Sequence, residues 1–309
     1  HLIFIVKIKI IMTVCILGNS LTALTLAKAL VNKNIYVDLL ASKKENKLSH
    51  TRTLGISKTN SDFFNKDIIN IEKLLWKLKK IEIFSENLKK EKLINFENSN
   101  DQIFSIIKNH ELYNILEKNL SKSKFFKKKQ SDNKSLSFID NYELVINCNY
   151  FHAVTKKFFS RKIVRKFNSL AYTTIIKHDK VLNNTATQIF TKNGPLAFLP
   201  ISNCETSIVY SFNSMIEKKE NIYELIKYYN FKYKINKIEK INSFELNSLN
   251  LRSYYHNNIL AFGELLHKIH PLAGQGFNMT IRDIKVLSEI IQNKIGLGLQ
   301  LDVSIIDEF

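Results

Sequence analysis

The sequence predicts an α/β fold in which a parallel βαβ domain is interleaved with a second domain built on a mixed, largely antiparallel sheet. Three observations predict it. A strand, a tight turn, a helix and a strand follow one another between Thr13 and Leu40. Alternating β-branched and aromatic residues dominate Ala171 to Phe212, and a strand, a loop and a long helix return between Ile259 and Lys294. A parallel start, an antiparallel middle and a parallel-type return describe two intertwined domains. The expected assignment gives residues 12–80, 109–165 and 253–309 to the first domain and 81–108 and 166–252 to the second.

Thr13 to Leu17 (TVCIL) is a short β-rich run, Leu21 to Val31 is apolar on most faces and helical, and Ile35 to Leu40 (IYVDLL) is a second buried strand. Asp62 to Leu78 has helical spacing and holds the only Trp, Trp76. Ile81 to Phe84 and Lys92 to Phe96 read as a hairpin, and His110 to Leu120 as a helix. The basic, Ser/Asn-rich segment 121–135 reads as a connection to a buried strand at Leu144 to Ile146. Strands spaced as in an antiparallel sheet follow (TTII, ATQIF, LAFLPI, SIVYSF). Ile222 to Tyr233 and Ile235 to Ile241 read as helical, Phe244 to Arg252 as extended, Ile259 to Phe262 as a last strand and Phe277 to Lys294 as a long helix. A new element opens after Leu297. The apolar opening, His1 to Ile11, carries Lys7 and Lys9, lacks a signal-peptide cleavage site, and is expected to be upstream read-through or an extension of the first strand.

At 309 residues the chain can bury a large core. Its three cysteines (Cys15, Cys148, Cys204) have no CxxC spacing, which suits a reducing compartment and argues against a metal site. The formal charge is +18, yet lysines are scattered through nearly every polar stretch and Lys124 to Lys134 is the one real cluster. That distribution predicts a solvated basic surface, with attraction to an anionic membrane surface as the next reading. Nucleic acid is not expected, since no recognition module is present. No run approaches the ~18 apolar residues of a spanning helix. The expectation is a cytoplasmic protein, soluble or peripheral to the inner membrane.

Gly18-Asn19-Ser20-Leu21-Thr22-Ala23 stands where a dinucleotide-binding (Rossmann-like) fold carries G-x-G-x-x-G. Gly18 permits the tight turn, Ser20 and Ala23 replace the second and third glycines, and the helix N-terminus offers amides to a phosphate. An ordinary strand-to-helix turn accounts for these residues equally well. The acidic residue that would hold an adenosine ribose is missing: its position falls near Ala41, and Asp38 lies too early in the strand.

The run from Ala261 to Asp283 (AFGELLHKIHPLAGQGFNMTIRD) places Gly, His and Pro in fixed order between a strand and a helix. It resembles the second flavin motif of the aromatic hydroxylases, Gly-Asp followed by His-Pro, Gly-Gln-Gly-x-Asn and Arg-Asp. His50 to Ser57 (HTRTLGIS) resembles the Arg-containing segment of that family, and Gly194 to Pro200 (GPLAFLP) its substrate-domain signature. Together they identify the chain as similar to the ubiquinone-biosynthesis flavin monooxygenases of polyprenyl-methoxyphenol hydroxylase type, related in fold to para-hydroxybenzoate hydroxylase.

The resemblance implies a Rossmann-like FAD-binding domain intertwined with a substrate domain. It also implies NAD(P)H as reductant and insertion of one oxygen atom from O2 into a polyprenylated phenol. It places cofactor contacts at Gly18, Ser20, Ala23, Arg52, Gly263, Glu264, Gly274, Gln275, Gly276 and Asn278. Gly274 and Gly276 would admit backbone amides to the flavin's pyrimidine edge, and Glu264 would hold the ribityl chain. The catalytic positions are His270 and Pro271, with Pro271 stiffening the wall beside the ring. A quinone-biosynthesis complex is the implied partner. The departures are Ser20, Ala41, Glu264, Leu265-Leu266, and Asn149-Tyr150 where the family has Asp-Gly. With the family's C-terminal part lying beyond Phe309, they leave a second expectation, a divergent non-catalytic scaffold in such a complex.

Overall fold

Thr13–Leu17 contains no charged residue, and its last four positions are buried, as a central parallel strand requires. The computed structural model, which describes residues 13–42, 49–86, 92–97, 102–132, 134–213, 219–266, 268 and 275–309, makes it β1. Helix α1 (Leu21–Asn32) leads to β2 (Tyr36–Ala41), which pairs in parallel with β1 from Thr13↔Tyr36 to Leu17↔Leu40. Asn34 takes the left-handed conformation (φ 61°) that ends the helix.

The sheet around β1 has six strands. β8 (Phe126–Gln130) extends it beyond β2, while β9 (Val145–Asn147) and β17 (Ile259–Ala261) extend it on the other side, all in parallel. The two-residue strand β16 (Tyr255–His256) closes that edge antiparallel. β8 lies within the segment expected to be a connection. Its four polar residues hide it, but lysines suit an edge strand because they discourage further pairing. On one face α1, α3 (Asn109–Leu120) and α6 (Gln275–Gly296) pack over Val14, Ile16, Val37 and Leu39. Against the other face lie Leu136, Phe138 and Tyr142, helix α4 (Ala153–Phe158) and Leu249 and Leu251.

The second sheet has eight strands: β5 (Lys80–Ser85), β6 (Lys92–Glu97), β10 (Lys162–His178), β11 (Thr185–Thr191), β12 (Gly194–Pro200), β13 (Glu205–Phe212), β14 (Ile235–Ile238) and β15 (Asn242–Leu251). β5 and β11 pair in parallel, and the remaining neighbours are antiparallel. Helix α5 (Lys219–Tyr229) buries Ile222, Ile226 and Tyr229 against Ile176, Leu196, Phe198 and Ile208. The segment expected as a helix at 235–241 is instead β14 followed by a turn. Its Ile235 and Ile238 pair with the end of β10, and the Thr174 hydroxyl donates to the Glu239 carbonyl at 2.7 Å. An open sheet edge offered backbone partners that an isolated helix of seven residues could not match.

A three-stranded antiparallel sheet lies between the other two: β3 (Thr53–Ser57), β7 (Phe104–Lys108) and β4 (Trp76–Leu78). The single helix expected over Asp62 to Leu78 is broken into α2 (Lys58–Phe63), a π turn at Phe64–Ile68 and a 3-10 turn at Glu72–Leu74 before β4. Asparagine side chains compete for its backbone: Ile71 N donates to Asn65 Oδ1 at 2.8 Å and Glu72 N to Asn70 Oδ1 at 3.0 Å. Trp76 then donates its indole N–H to the Asn183 carbonyl at 2.6 Å, which fixes β4 against the large sheet.

β10 runs unbroken over 17 residues, so one strand reaches from the parallel sheet's flank into the heart of the second sheet. A bulge at Asn168 (φ 51°) shifts its register against β15 between Lys166 and Leu170. The element after Leu297 is α7 (Val303–Glu308), capped by Asp302, with Ile305 and Ile306 in the core and Phe309 packed on Phe262. Among the described residues no helix is long and apolar enough to cross a membrane.

Candidate active site

β1 delivers the chain into a turn that only glycine can make without strain. Gly18 has φ +105°, its N–H donates to the Leu40 carbonyl at 2.8 Å, and a Cβ there would sit 3.2 Å from Asn149 Cβ. Ser20 then adopts ordinary extended backbone and caps α1: its Oγ accepts from Ala23 N at 3.3 Å and its carbonyl accepts from Leu24 N at 3.0 Å. The hydroxymethyl group that replaces a glycine is thus turned onto the helix. Ala23 is fully buried, which explains why a small residue is needed there.

The other chain segment at this place is the turn after β17. Gly263 has φ +68°, and a Cβ on it would lie 2.6 Å from Thr22 Cγ2. The turn at Gly263–Leu265 therefore rests on the first turn of α1, with Glu264 exposed on it. Gly18, Ser20, Ala23, Gly263 and Glu264 come together at the positive end of one helix, the place where a fold of this type holds a pyrophosphate. Asn19 adds an unsatisfied group: its Nδ2 donates to the Tyr113 hydroxyl, but its buried Oδ1 has no donor. A ligand hydroxyl would supply one.

The second strand offers less. Asp38 is buried in mid-strand and accepts from Lys129 Nζ at 2.6 Å and from the Tyr142 hydroxyl at 2.7 Å. Burial, and next the hydrogen bond to this carboxylate, push Tyr142 up to about 12. Ala41, at the end of the strand, contributes only a buried methyl group. No carboxylate is thus free for a ribose at this edge among the described residues.

Arg52 stands exposed at the seam between the domains. Its neighbours tie that seam: Asn242 Nδ2 donates to Thr51 Oγ1 at 2.8 Å, and the Thr53 and Ser207 hydroxyls share a bond of 2.8 Å. The Arg52 carbonyl accepts from Asn109 N at 3.0 Å, at the start of α3. There the His50 and His110 rings pack 4.5 Å apart, and burial, then the neighbouring His50, lower the pKa of His110. Asn278 is buried in the first turns of α6. Its Oδ1 accepts from Ser57 N at 3.0 Å and Asn60 Nδ2 at 2.7 Å, and its Nδ2 donates to the Gly55 carbonyl at 2.8 Å. Asn278 therefore locks α6 to β3. His270, Pro271 and Gly274 lie outside the described residues. Gln275 and Gly276 open α6, where the Gly276 carbonyl accepts from Thr280.

Reading motifs alone misses the sheet face opposite this seam. Register places Asn242, Thr173, Val209, Ala197, Gln188 and Ile83 in one row across β15, β10, β13, β12, β11 and β5. Ser207, two residues from Val209 on the same face, is the residue that touches Thr53. That row, a shelf without aromatic side chains, ends at Asn242, which bonds Thr51 next to Arg52. The alternation in GPLAFLP is the sequence signal for it: Leu196 and Phe198 point under α5, while Ala197 and Leu199 point away and are half-buried.

The backbone arrangement is shared with solved structures. Over 96% of this chain and 84% of the other, it superposes on p-nitrophenol 4-monooxygenase PnpA from Pseudomonas putida with a TM-score of 0.75 at 13% identity. Over 91% of this chain and 80% of the other, it superposes on Klebsiella pneumoniae HpxO, solved with FAD and uric acid, with a TM-score of 0.69 at 12% identity. This is the fold of the FAD-dependent monooxygenases. Within that monooxygenase fold, the sequence resembles the ubiquinone-biosynthesis hydroxylases. It is 30% identical over 118 residues to 3-demethoxyubiquinol 3-hydroxylase of Escherichia coli, covering 36% of this chain and 30% of that protein. It is 25% identical over 150 residues to the mitochondrial ubiquinone biosynthesis monooxygenase COQ6 of Danio rerio, covering 35% of this chain and 31% of that protein. The matched stretch thus spans about a third of each of these relatives. No protein-family profile matches the chain.

Proposed function

We propose that this chain is the FAD-binding and substrate-facing part of an aromatic hydroxylase that uses NAD(P)H and inserts one oxygen atom of O2 into a polyprenylated phenol of ubiquinone biosynthesis. The observation that carries the proposal is the convergence of Gly18, Ser20 and Gly263 on the N-terminus of α1, with an unsatisfied buried acceptor on Asn19 beside them. FAD, when bound, supplies the redox chemistry and the activation of O2. The protein's own part is to bind, orient and shield. The first amides of α1 would hold the pyrophosphate, and Glu264, placed by the Gly263 turn, would hold the ribityl chain. Arg52 holds positive charge at the domain seam, and the Thr173–Val209–Ala197–Gln188 shelf gives a flat phenol ring a wall without bulky side chains.

The test is flavin content and coupled turnover. Protein purified with added FAD is expected to carry a yellow flavin spectrum, and its NAD(P)H oxidation is expected to rise with a prenylated phenol. Absence of bound flavin at micromolar FAD defeats the proposal. One observation favours a second reading, a non-catalytic scaffold within a quinone-biosynthesis complex: Asp38 is engaged by Lys129 and Tyr142, and Ala41 offers no carboxylate. That reading expects copurifying quinone-pathway enzymes and complementation that survives Arg52→Ala.

A further inference from the structure

Charged and apolar residues part by face at the β5–β6 edge of the large sheet. β5 reads Lys80-Ile81-Glu82-Ile83-Phe84, and β6 pairs with it from Lys80↔Glu97 through Ile81↔Phe96 to Ile83↔Ile94. Lys80, Glu82 and Glu97 therefore share the face on which Phe84 packs with α5. They also pair with one another, Lys80 Nζ lying 3.2 Å from Glu82 and 3.4 Å from Glu97. Ile81, Ile83, Ile94 and Phe96 share the opposite face. That is the face of the Thr173–Gln188 shelf, since Ile83 pairs with Gln188.

Only part of this uncharged face is covered. Ile81 packs with Trp76, Phe104, Ala186 and Leu199 beneath the three-stranded sheet. One step along the strands the cover ends: Ile83 is half-buried and Ile94 is 48% exposed. Phe96, beside Ile81, is 50% exposed, and Phe190, which pairs with Ser85 one step beyond Ile83, is 45% exposed. Ile83 and Ile94 thus form an apolar track with an exposed phenylalanine on either side. The track continues the shelf in one row, Val209, Ala197, Gln188, Ile83 and Ile94, across five neighbouring strands. At ~4.8 Å per strand the row spans roughly 19 Å. Polarity changes along it. Thr173, next to Val209, is 6% exposed and Gln188 is half-buried, and neither side chain has a hydrogen-bond partner among the described residues. Beyond Gln188 the row is apolar to the sheet edge.

We propose that Ile83, Ile94, Phe96 and Phe190 select for a substrate's apolar tail and fix the direction in which it leaves the shelf. The inference rests on the proposed function for the ring. An oxygenated aromatic ring lies over Val209 and Ala197, with the Thr173 hydroxyl and the Gln188 amide as hydrogen-bonding partners at its two sides. Its tail runs over Ile83 and Ile94 between Phe96 and Phe190, towards the β6 edge. Continuity with the shelf and the lack of charge commit the occupant: a hydrocarbon chain gains from covering this track, and a charged or hydrogen-bonding chain has no partner on it.

The test is calorimetric titration of the purified protein with a methoxyphenol and with the same ring carrying a geranyl chain. The geranyl compound is expected to bind about tenfold more tightly or better. Ile94→Ser/Phe190→Ser is expected to remove roughly tenfold of that preference and to leave the affinity for the bare ring as it was. Gln188→Leu is expected to weaken both compounds by the same factor, roughly fivefold. Phe231→Ser removes an exposed ring from the opposite face of the same edge, where it lies 5.3 Å from Phe84, and is expected to bind both compounds as the parent does. Equal affinity of the parent for the two compounds, binding of neither, or a preference that survives Ile94→Ser/Phe190→Ser overturns the proposal. So does an equal loss in Phe231→Ser, because the tail then settles on any exposed apolar side chain. Flavin absorbance of the same preparations reports on the proposed function separately. Protein that carries flavin but ignores the tail sinks the track alone, and protein that keeps the tail preference without flavin sinks the flavin reading alone. Circular dichroism of each variant separates lost binding from lost folding.

Discussion

Gly263→Ala tests the joint between the two halves of the candidate FAD site. Two costs follow from the geometry. An alanine at φ +68° sits in the left-handed region, at about 1–2 kcal/mol. Its Cβ also arrives 2.6 Å from Thr22 Cγ2, roughly 1 Å inside ordinary contact, and overpacking of this kind costs about 1–3 kcal/mol. The expected loss is therefore about 2–5 kcal/mol in urea unfolding at unchanged m-value. The second cost can be removed separately. Thr22→Ser deletes Cγ2, and the next atoms, Thr22 Cβ and Oγ1, lie 3.3 Å away. The double variant is expected to recover the steric part and keep only the backbone part, about 1–2 kcal/mol. If Gly263→Ala unfolds within about 0.5 kcal/mol of the parent, or if the two changes simply add, the turn does not rest on α1 and the site as described is wrong.

Three further outcomes follow from the same structure. Asn278→Ala leaves the Ser57 N–H and the Gly55 carbonyl without their side-chain partner, so a loss of about 2–4 kcal/mol is expected, with faster amide exchange in β3 and at the start of α6. Ala41 packs in the apolar core, so Ala41→Glu buries a carboxylate without a partner and is expected to cost about 3–5 kcal/mol in urea unfolding. His152 is buried, its Nδ1 accepts from Val154 N to cap α4, and burial lowers its pKa. The unfolded chain therefore takes up the proton first, so stability is full above about 6.5, the ordinary histidine value, and falls as pH drops below it. His152→Asn keeps a capping acceptor and is expected to flatten that fall in pH-dependent urea titrations.

The parts of the fold legible in the sequence are those whose pattern has one physical solution. A run like Thr13–Leu17 followed by a glycine turn and an apolar helix forms a βαβ unit wherever it occurs, and the Phe277 to Lys294 stripe had only the parallel sheet to cover. Ile235 to Ile241 is different: isoleucines three apart suit a helix face, and the deciding fact was the free edge of β10, some sixty residues away in sequence. β8 escaped notice because an edge strand buries little and its lysines read as a linker. At the candidate site, the glycine turn after β1 and Gly263 were legible as motifs. The role of Asn278 was not, since its partners Gly55, Ser57 and Asn60 are more than 200 residues distant and no local pattern links them. The shelf from Thr173 to Gln188 exists only once four strands are in register.

These contacts explain how the Thr173–Gln188 row and the glycine turn after β1, made by distant parts of the chain, keep their relative position. Lys268 and the start of α6 are the described residues on either side of 269–274, and each is anchored. Leu249 N donates to the Lys268 carbonyl at 2.9 Å on one side, and Asn278 is bonded to Gly55, Ser57 and Asn60 on the other. The first anchor belongs to β15, which forms the edge of the shelf, and the second to β3, whose Thr53 touches Ser207 on that shelf. A shift of the large sheet therefore moves Lys268 and the start of α6 together. Under the proposed function, which sets a phenol against a cofactor, such coupling counts, since misplacement of about 1 Å costs on the order of 100-fold in rate. Strain introduced at Asn278 should accordingly reach turnover even though its side chain is fully engaged by β3 and α2.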